Sequence, residues 1–308
     1  MSLPGAPLKR LLAFLLAQDT GPRRREGFSI STLGICLAKQ LFTLSGYPAT
    51  TKRAARMLLL WRLGMLIERE VIALMQMAGE TILGLQKEYL GANPPREGHI
   101  DGLILRDGKL YVFDVKSANS QSFKKWVQTA GLSPWKVMKD GYGACDPRQI
   151  AVKTYRPVKE IYPSYYFQAQ GYLELLRTRE EYQEYIITAL AQVDADLAQS
   201  AKDGTVPVAT DGFYFFVYCK DDSSLYEEFV PYDADAIEQR LAFAAKGYQA
   251  IQGKKPGKAL TEEIRTYREL KLNEDGGLPW QCKRCDFTKT CWGSGTGTPD
   301  KNGEDDIG

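Results

Sequence analysis

Gly98-His99-Ile100-Asp101-Gly102 leads through Leu103-Ile104-Leu105, a turn at Arg106-Asp107-Gly108-Lys109, and Leu110-Tyr111-Val112-Phe113 into Asp114-Val115-Lys116. This stretch decides the fold. Two short apolar runs separated by a turn predict adjacent antiparallel strands. Pairing across so short a turn brings Asp101 and Asp114 together, and alternation along the strand puts Lys116 on the face of Asp114. Two carboxylates and an amine converging at a strand end suit a divalent cation and the water it activates, the chemistry of phosphodiester cleavage. A hairpin with polar ends is also common, and D-x-K recurs by chance. The rest of the chain must decide.

The 308 residues can bury a substantial core as one elaborated domain or two small ones. With 44% hydrophobic and 25% charged residues the composition is that of a globular protein, and a net charge of +2 does not by itself argue for nucleic acid. Distribution says more, because residues 121–160 hold eight Lys/Arg against three Asp/Glu, interleaved with Phe123, Trp126, Trp135, Tyr142 and Tyr155. Such a segment can track a phosphate backbone and stack bases, or be a solvated basic loop. No stretch is long and apolar enough to span a bilayer. Leu11 to Ala17 lacks a cleavage site and runs into Gln18-Asp19, so an amphipathic N-terminal helix and a cytoplasmic location are expected.

Thr32 to Leu44, after Ser29-Ile30-Ser31, reads as a capped helix carrying Cys36. A long helix is expected from Thr51 to Met77. Glu68 sits there among apolar neighbours, which calls for a cation or hydrogen-bond partner unless it lies on the wet side. Residues 79–89 are expected to give one strand before the hairpin. A helix from Pro163 places Gln168 and Tyr172 on one face, and another covers Glu180 to Ser200. Phe213 to Tyr218 and Leu225 to Val230 read as strands joined at Asp221-Asp222-Ser223-Ser224, and Asp233 to Ile251 resumes a helical period. The expected organisation is an N-terminal segment over 1–28, one domain over 29–292 and a tail over 293–308 with almost nothing to bury.

Cys282-Lys283-Arg284-Cys285 followed by Cys291 gives C-x2-C-x5-C. Two thiolates two residues apart readily hold one metal or cluster, and the third is close enough to join. The fourth ligand is open between Cys36, Cys145, Cys219 and His99, with Cys36 the best candidate. On ligands alone a structural Zn²⁺ is the plain reading and an iron–sulfur cluster the sharper one.

These segments, in this order, resemble the RecB-like branch of the PD-(D/E)XK nucleases, in particular its CRISPR-associated and phage-encoded single-domain members with an iron–sulfur cluster. The likeness runs from Ser29 to Cys291. Residues 31–42 look like the family's first-cysteine segment, Gly98 to Gly102 and Asp114 to Lys116 like its core motifs, and Gln168-Ala169-Gln170-Gly171-Tyr172 like its Q-x-x-x-Y helix. One departure stands out: where many relatives place a histidine in a G-x-x-x-H context, this chain has Gly64-Met65-Leu66-Ile67-Glu68. A carboxylate still suits Mg²⁺ or Mn²⁺.

The resemblance implies an α/β, restriction-endonuclease-like core: a mixed central sheet flanked by helices, with N- and C-terminal segments joined by a four-cysteine cluster. It implies Mg²⁺ or Mn²⁺ on Asp101, Asp114, Glu68 and the Val115 carbonyl, and Lys116 orienting or deprotonating the attacking water. Gln168 and Tyr172 would position the lysine or the DNA. Cys36, Cys282, Cys285 and Cys291 would hold a 4Fe–4S cluster, closing a loop of about 250 residues. The implied activity is exonucleolytic hydrolysis of DNA ends or single strands, with recombination, repair or CRISPR-adaptation proteins as partners. A catalytically silent DNA-binding module and a sequence-specific endonuclease are the competing readings.

Overall fold

The computed structural model describes residues 13–14, 26–49, 55–86, 88–129, 142–143, 158–191, 195–203, 208–283 and 285–293. The strands are β1 (Thr81–Leu83), β2 (Glu88–Ala92), β3 (Pro95–His99), β4 (Gly102–Arg106), β5 (Lys109–Ala118), β6 (Tyr142–Gly143), β7 (Val208–Cys219) and β8 (Leu225–Pro231), after a two-residue strand at Phe28–Ser29. The helices are α1 (Leu37–Leu44), α2 (Ala55–Met77), α3 (Ser120–Thr129), α4 (Val158–Ile161), α5 (Pro163–Thr178), α6 (Glu180–Ala191), α7 (Ala195–Lys202), α8 (Ala234–Ile251), α9 (Lys258–Arg265), α10 (Trp280–Lys283) and α11 (Thr288–Trp292). The chain divides into two compact units, one made of residues 29–34 and 59–239, the other of 1–28, 35–58 and 240–308.

The first unit is built on a mixed six-stranded sheet of order β1-β4-β5-β7-β8-β6. β4 and β5 form the expected hairpin, with Arg106 opposite Lys109 and Gly102 opposite Phe113. Asp107 and Gly108 both have positive φ, +49° and +71°, the turn geometry whose twist matches that of the flanking strands. β5 then pairs in parallel with β7, which requires the crossover supplied by the intervening helices. Helices cover both faces of β5, so most of its residues are buried. Phe113 and Val115 pack with Val71 and Ile72 of α2 and with Phe216. On the other face, Trp126 of α3 stacks on Tyr165 of α5, both rings lie tilted against Phe215, and Tyr172 stacks on Phe213. This is the mixed sheet flanked by helices expected from the sequence.

Four local expectations are corrected. Residues 79–89 do not make one strand: the chain turns at Gly84 (φ +57°) and Gln86 (φ +55°), separating β1 from β2, which pairs with β3 in a second, small sheet. Cys36 is not carried inside a helix. A 3₁₀ turn covers Ile30–Thr32, and Cys36 occupies the position before the first residue of α1. The helix expected over 180–200 is two helices, α6 and α7.

Phe123 and Trp126, read as base-stacking aromatics, are buried core residues. With Val127 they fall at i, i+3 and i+4, one face of α3, while Lys125 lies exposed. Trp135, Cys145 and Tyr155, the side chain of Tyr142, and the tail from 294 lie outside the described residues. Among the described residues no helix is long and apolar enough to cross a membrane.

In the second unit a carboxylate substitutes for a local cap. Glu269 accepts the Leu37 N–H at 2.6 Å, at the start of α1 where Cys36 offers no side-chain cap. Arg240 binds the same carboxylate and donates to the Ile35 carbonyl at 2.7 Å, so Ile35 and Leu37, on either side of Cys36, are both fixed. Phe42 stacks on Phe287 with ring centroids 5.6 Å apart. Arg265 donates twice to the Thr290 carbonyl, at 2.8 and 3.2 Å, fixing the residue before Cys291.

Candidate active site

The hairpin register sets Asp101 beside Asp114, both nearly fully buried at 9% and 3% exposure. The link is direct: Asp101 Oδ2 accepts the Val115 N–H at 2.7 Å, just past the last ladder pair of β4 and β5. Lys116 Nζ lies 2.5 Å from Asp114 Oδ1, on the same face as the alternation requires. Its ammonium also sits 5.0 Å from the centre of the Tyr165 ring and 5.8 Å from that of Phe215. From α5, Gln168 Nε2 donates to Asp114 Oδ2 at 2.6 Å. The other amide atom of Gln168, Oε1, is buried with no hydrogen-bond partner.

One turn further along α5, the Tyr172 hydroxyl donates to the His99 carbonyl at 2.6 Å. That contact explains Gly98. A Cβ there would stand 2.5 Å from the Tyr172 hydroxyl and 3.0 Å from Ile30. Tyr172 thus fixes the strand end that delivers Asp101, and Gln168 fixes the carboxylate that β5 delivers. The His99 imidazole itself is exposed, 3.8 Å from Glu88.

Glu68, from α2, joins the same electrostatic neighbourhood. Its pKa is raised by burial and by the charge of Asp114, and lowered in part by Lys116. Asp101 is pushed up to about 8, by burial first, then by Asp114, with Glu68 adding to it and Lys116 opposing. Burial works against the charge of Lys116, but Asp114, Tyr165 and Asp101 outweigh it and hold the ammonium above its usual range. Three carboxylates face one ammonium, an imbalance that the metal-free site meets by keeping a proton on Asp101 up to about pH 8. A divalent cation fits that imbalance, and the donor set, all hard oxygens, suits Mg²⁺ or Mn²⁺. Val115 enters the site through its N–H, a role absent from the sequence reading, which assigned its carbonyl.

The thiols of Cys36, Cys282, Cys285 and Cys291 lie in one unit and influence one another. Burial raises the pKa of Cys282, Cys285 and Cys291, the last to about 12, and a charge on Cys36 raises all three further. Arg268 opposes the rise at Cys282 and Cys291, and Lys39 at Cys285. Thiols of this kind stay protonated at neutral pH unless a metal or cluster holds them as thiolates, and four soft donors suit either zinc or iron–sulfur. Among the described residues, no three His, Cys, Asp or Glu side chains are drawn into a closed metal-ligating set, at the thiols or at the carboxylates. Of the other candidates for the fourth ligand, Cys219 is buried at the end of β7 and, like His99, belongs to the other unit, while Cys145 lies outside the described residues.

Two residues of the site were not legible as such. Gln86 Nε2 donates to Glu68 Oε1 at 2.6 Å from a backbone at φ +55°, a conformation uncommon for a residue with a side chain. Nothing in the sequence marks it. The other is Tyr165, whose ring centre lies 5.0 Å from the Lys116 ammonium. Its spacing of three from Gln168 on one helix was the available signal.

No family model matches the chain, and no curated protein matches it. Among solved structures, SSO0001 is similar at 11% identity and a TM-score of 0.39, over 92% of this chain and 95% of the other. An alkaline exonuclease from Laribacter hongkongensis is similar at 16% identity and a TM-score of 0.31, over 84% and 95%. The chemistry therefore rests on the site's own geometry.

Proposed function

We propose that this protein is a divalent-metal-dependent deoxyribonuclease acting on DNA ends or single strands. The observation that carries the reading is the contact of Asp114 with Lys116 and Gln168 beside the buried Asp101, with Glu68 in the same electrostatic neighbourhood. Asp101, Asp114 and Glu68 would hold Mg²⁺ or Mn²⁺. A bound cation supplies Lewis acidity toward the scissile phosphate and makes a water nucleophilic at neutral pH. Asp114 holds Lys116 in place, and the Tyr165 ring confines it from one side. From there the ammonium can orient the attacking water or balance charge growing on the phosphate oxygens. Gln168 fixes the rotamer of Asp114, and Tyr172 holds the backbone before Asp101.

Cys36, Cys282, Cys285 and Cys291 are proposed to bind a 4Fe–4S cluster, with zinc as the alternative, in a structural role. Exonuclease action is supported by the sequence likeness of the Gln168–Tyr172 segment to the Q-x-x-x-Y helix. The test is release of acid-soluble nucleotide from linear DNA with Mn²⁺ or Mg²⁺, beside a closed circle. The parent is expected to digest the linear form and spare the circle, and Asp114→Asn or Lys116→Ala to lower the rate by about 10³-fold. Parent-rate digestion by both variants would overturn the site, and discrete fragments from the circle would replace exonuclease with endonuclease.

A further inference from the structure

The α2 helix buries apolar side chains against the sheet only in its C-terminal half. Met57, Leu60, Trp61 and Met65 are exposed nearer its N-terminus, and a continuous stripe on the side away from the sheet has no cover among the described residues. Val71 and Ile72 face the sheet and are buried. On the far side, Leu59, Leu63, Leu66, Glu70, Ala73 and Met77 follow one another at alternating spacings of four and three, and every one of them is exposed. Leu66 is 61% and Met77 83% exposed, on a helix whose interior-facing side already satisfies the sheet. Leu74 flanks the same stripe and is half exposed. A helix apolar all round is ordinarily buried all round.

We propose that this stripe pairs with the same stripe of a second copy of the chain, making a dimer through α2. The spacing is that of a helix seam, in which each apolar side chain fits between those of a facing helix. The area agrees. Leu59, Leu63, Leu66, Leu74 and Met77 together leave on the order of 500 Å² of apolar surface, at the upper end of what a monomer shows. With the polar rim around it the face approaches the roughly 800 Å² per partner of a standard interface. The charges agree as well. The one ionised residue in the stripe is Glu70, and Arg69 stands next to it, so a facing copy can set each glutamate against an arginine.

Sedimentation equilibrium of the full chain between about 1 and about 100 µM tests this. The parent is expected to reach the dimer mass. Leu66→Gln with Met77→Gln, at positions already exposed, should keep the parent's circular dichroism and melting temperature while weakening association by about 100-fold. Glu70→Arg alone should also dissociate the dimer, and adding Arg69→Glu should restore it, which nonspecific stickiness would not do. A parent that stays monomeric at about 100 µM, with the stripe covered by another part of this chain or by another partner, overturns the proposal. So does a Leu66→Gln, Met77→Gln variant that remains dimeric.

Discussion

Asp101 shows how a carboxylate can be both a liability and a functional group. Its pKa is lifted to about 8 by burial and by Asp114, while an unfolded chain would release that proton near pH 4. Between those values the folded metal-free protein binds more protons than the unfolded one. The contribution of Asp101 to stability is therefore fully present below about pH 4 and lost as pH rises through about 8. Asp101→Asn mimics the protonated group and can still accept the Val115 N–H. In the presence of a chelator its melting temperature is expected to exceed the parent's at pH 8.5, with the gap closing toward pH 5. The same substitution should abolish cleavage. Equal melting curves at both pH values would mean that the carboxylate is not strained as its surroundings imply. Metal affinity should follow the same proton: since ligands bind deprotonated, Mn²⁺ binding by the parent should tighten as pH rises toward 8 and then level off.

At the scale of elements, what was legible depended on whether the signal was local. The β4–β5 hairpin was, because an Asp-Gly turn between apolar runs specifies pairing and register at once, and register fixes which carboxylates meet. The Gln168–Tyr172 face was legible through helical spacing. The loop after β1 was not. Gln86 there adopts positive φ, and sequence gives little warning when a residue other than glycine is held so; such strain is found where surrounding structure enforces it, often at functional sites. α3 misled for the opposite reason. Its cations drew attention to charge, while the spacing of Phe123, Trp126 and Val127 specified a buried face.

Gln86 also allows a test that separates positioning from stability. Gln86→Gly relieves the backbone and removes the hydrogen bond to Glu68. Its unfolding free energy should stay within about 1 kcal/mol of the parent's. Its cleavage rate should fall, and more Mn²⁺ should be needed for half-maximal rate. Gln86→Glu, which sets a second carboxylate against Glu68, should fall further at pH 8 than at pH 6. A glycine variant with parent activity at limiting Mn²⁺ would make the Gln86–Glu68 contact incidental.

For the whole molecule the open question is what holds residues 35–58 to residues 240–293, which are far apart in sequence yet form one unit. Ordinary contacts do part of it: the Glu269 carboxylate at the start of α1, the Arg240 ion pair, and the Phe42–Phe287 stack. The sequence showed the cysteine triad but left the fourth ligand open, because spacing cannot report a neighbour about 250 residues away. Cys36 shares a unit with the triad, and its charge bears on all three thiols. If the four thiols bind a cluster, anaerobically purified protein should carry about four irons per chain, or one zinc in the alternative case.

Cys36→Ser and Cys291→Ser should each lower the metal content and the melting temperature together. Cys219→Ser, altering a buried thiol in the other unit, should cost some stability but leave the metal content at the parent value. The two readouts must move in concert, because a ligand that closes so long a loop withdraws its stabilisation when it leaves. Metal content unchanged in Cys291→Ser, or lost equally in Cys219→Ser, would remove the basis for assigning the four thiols to one site.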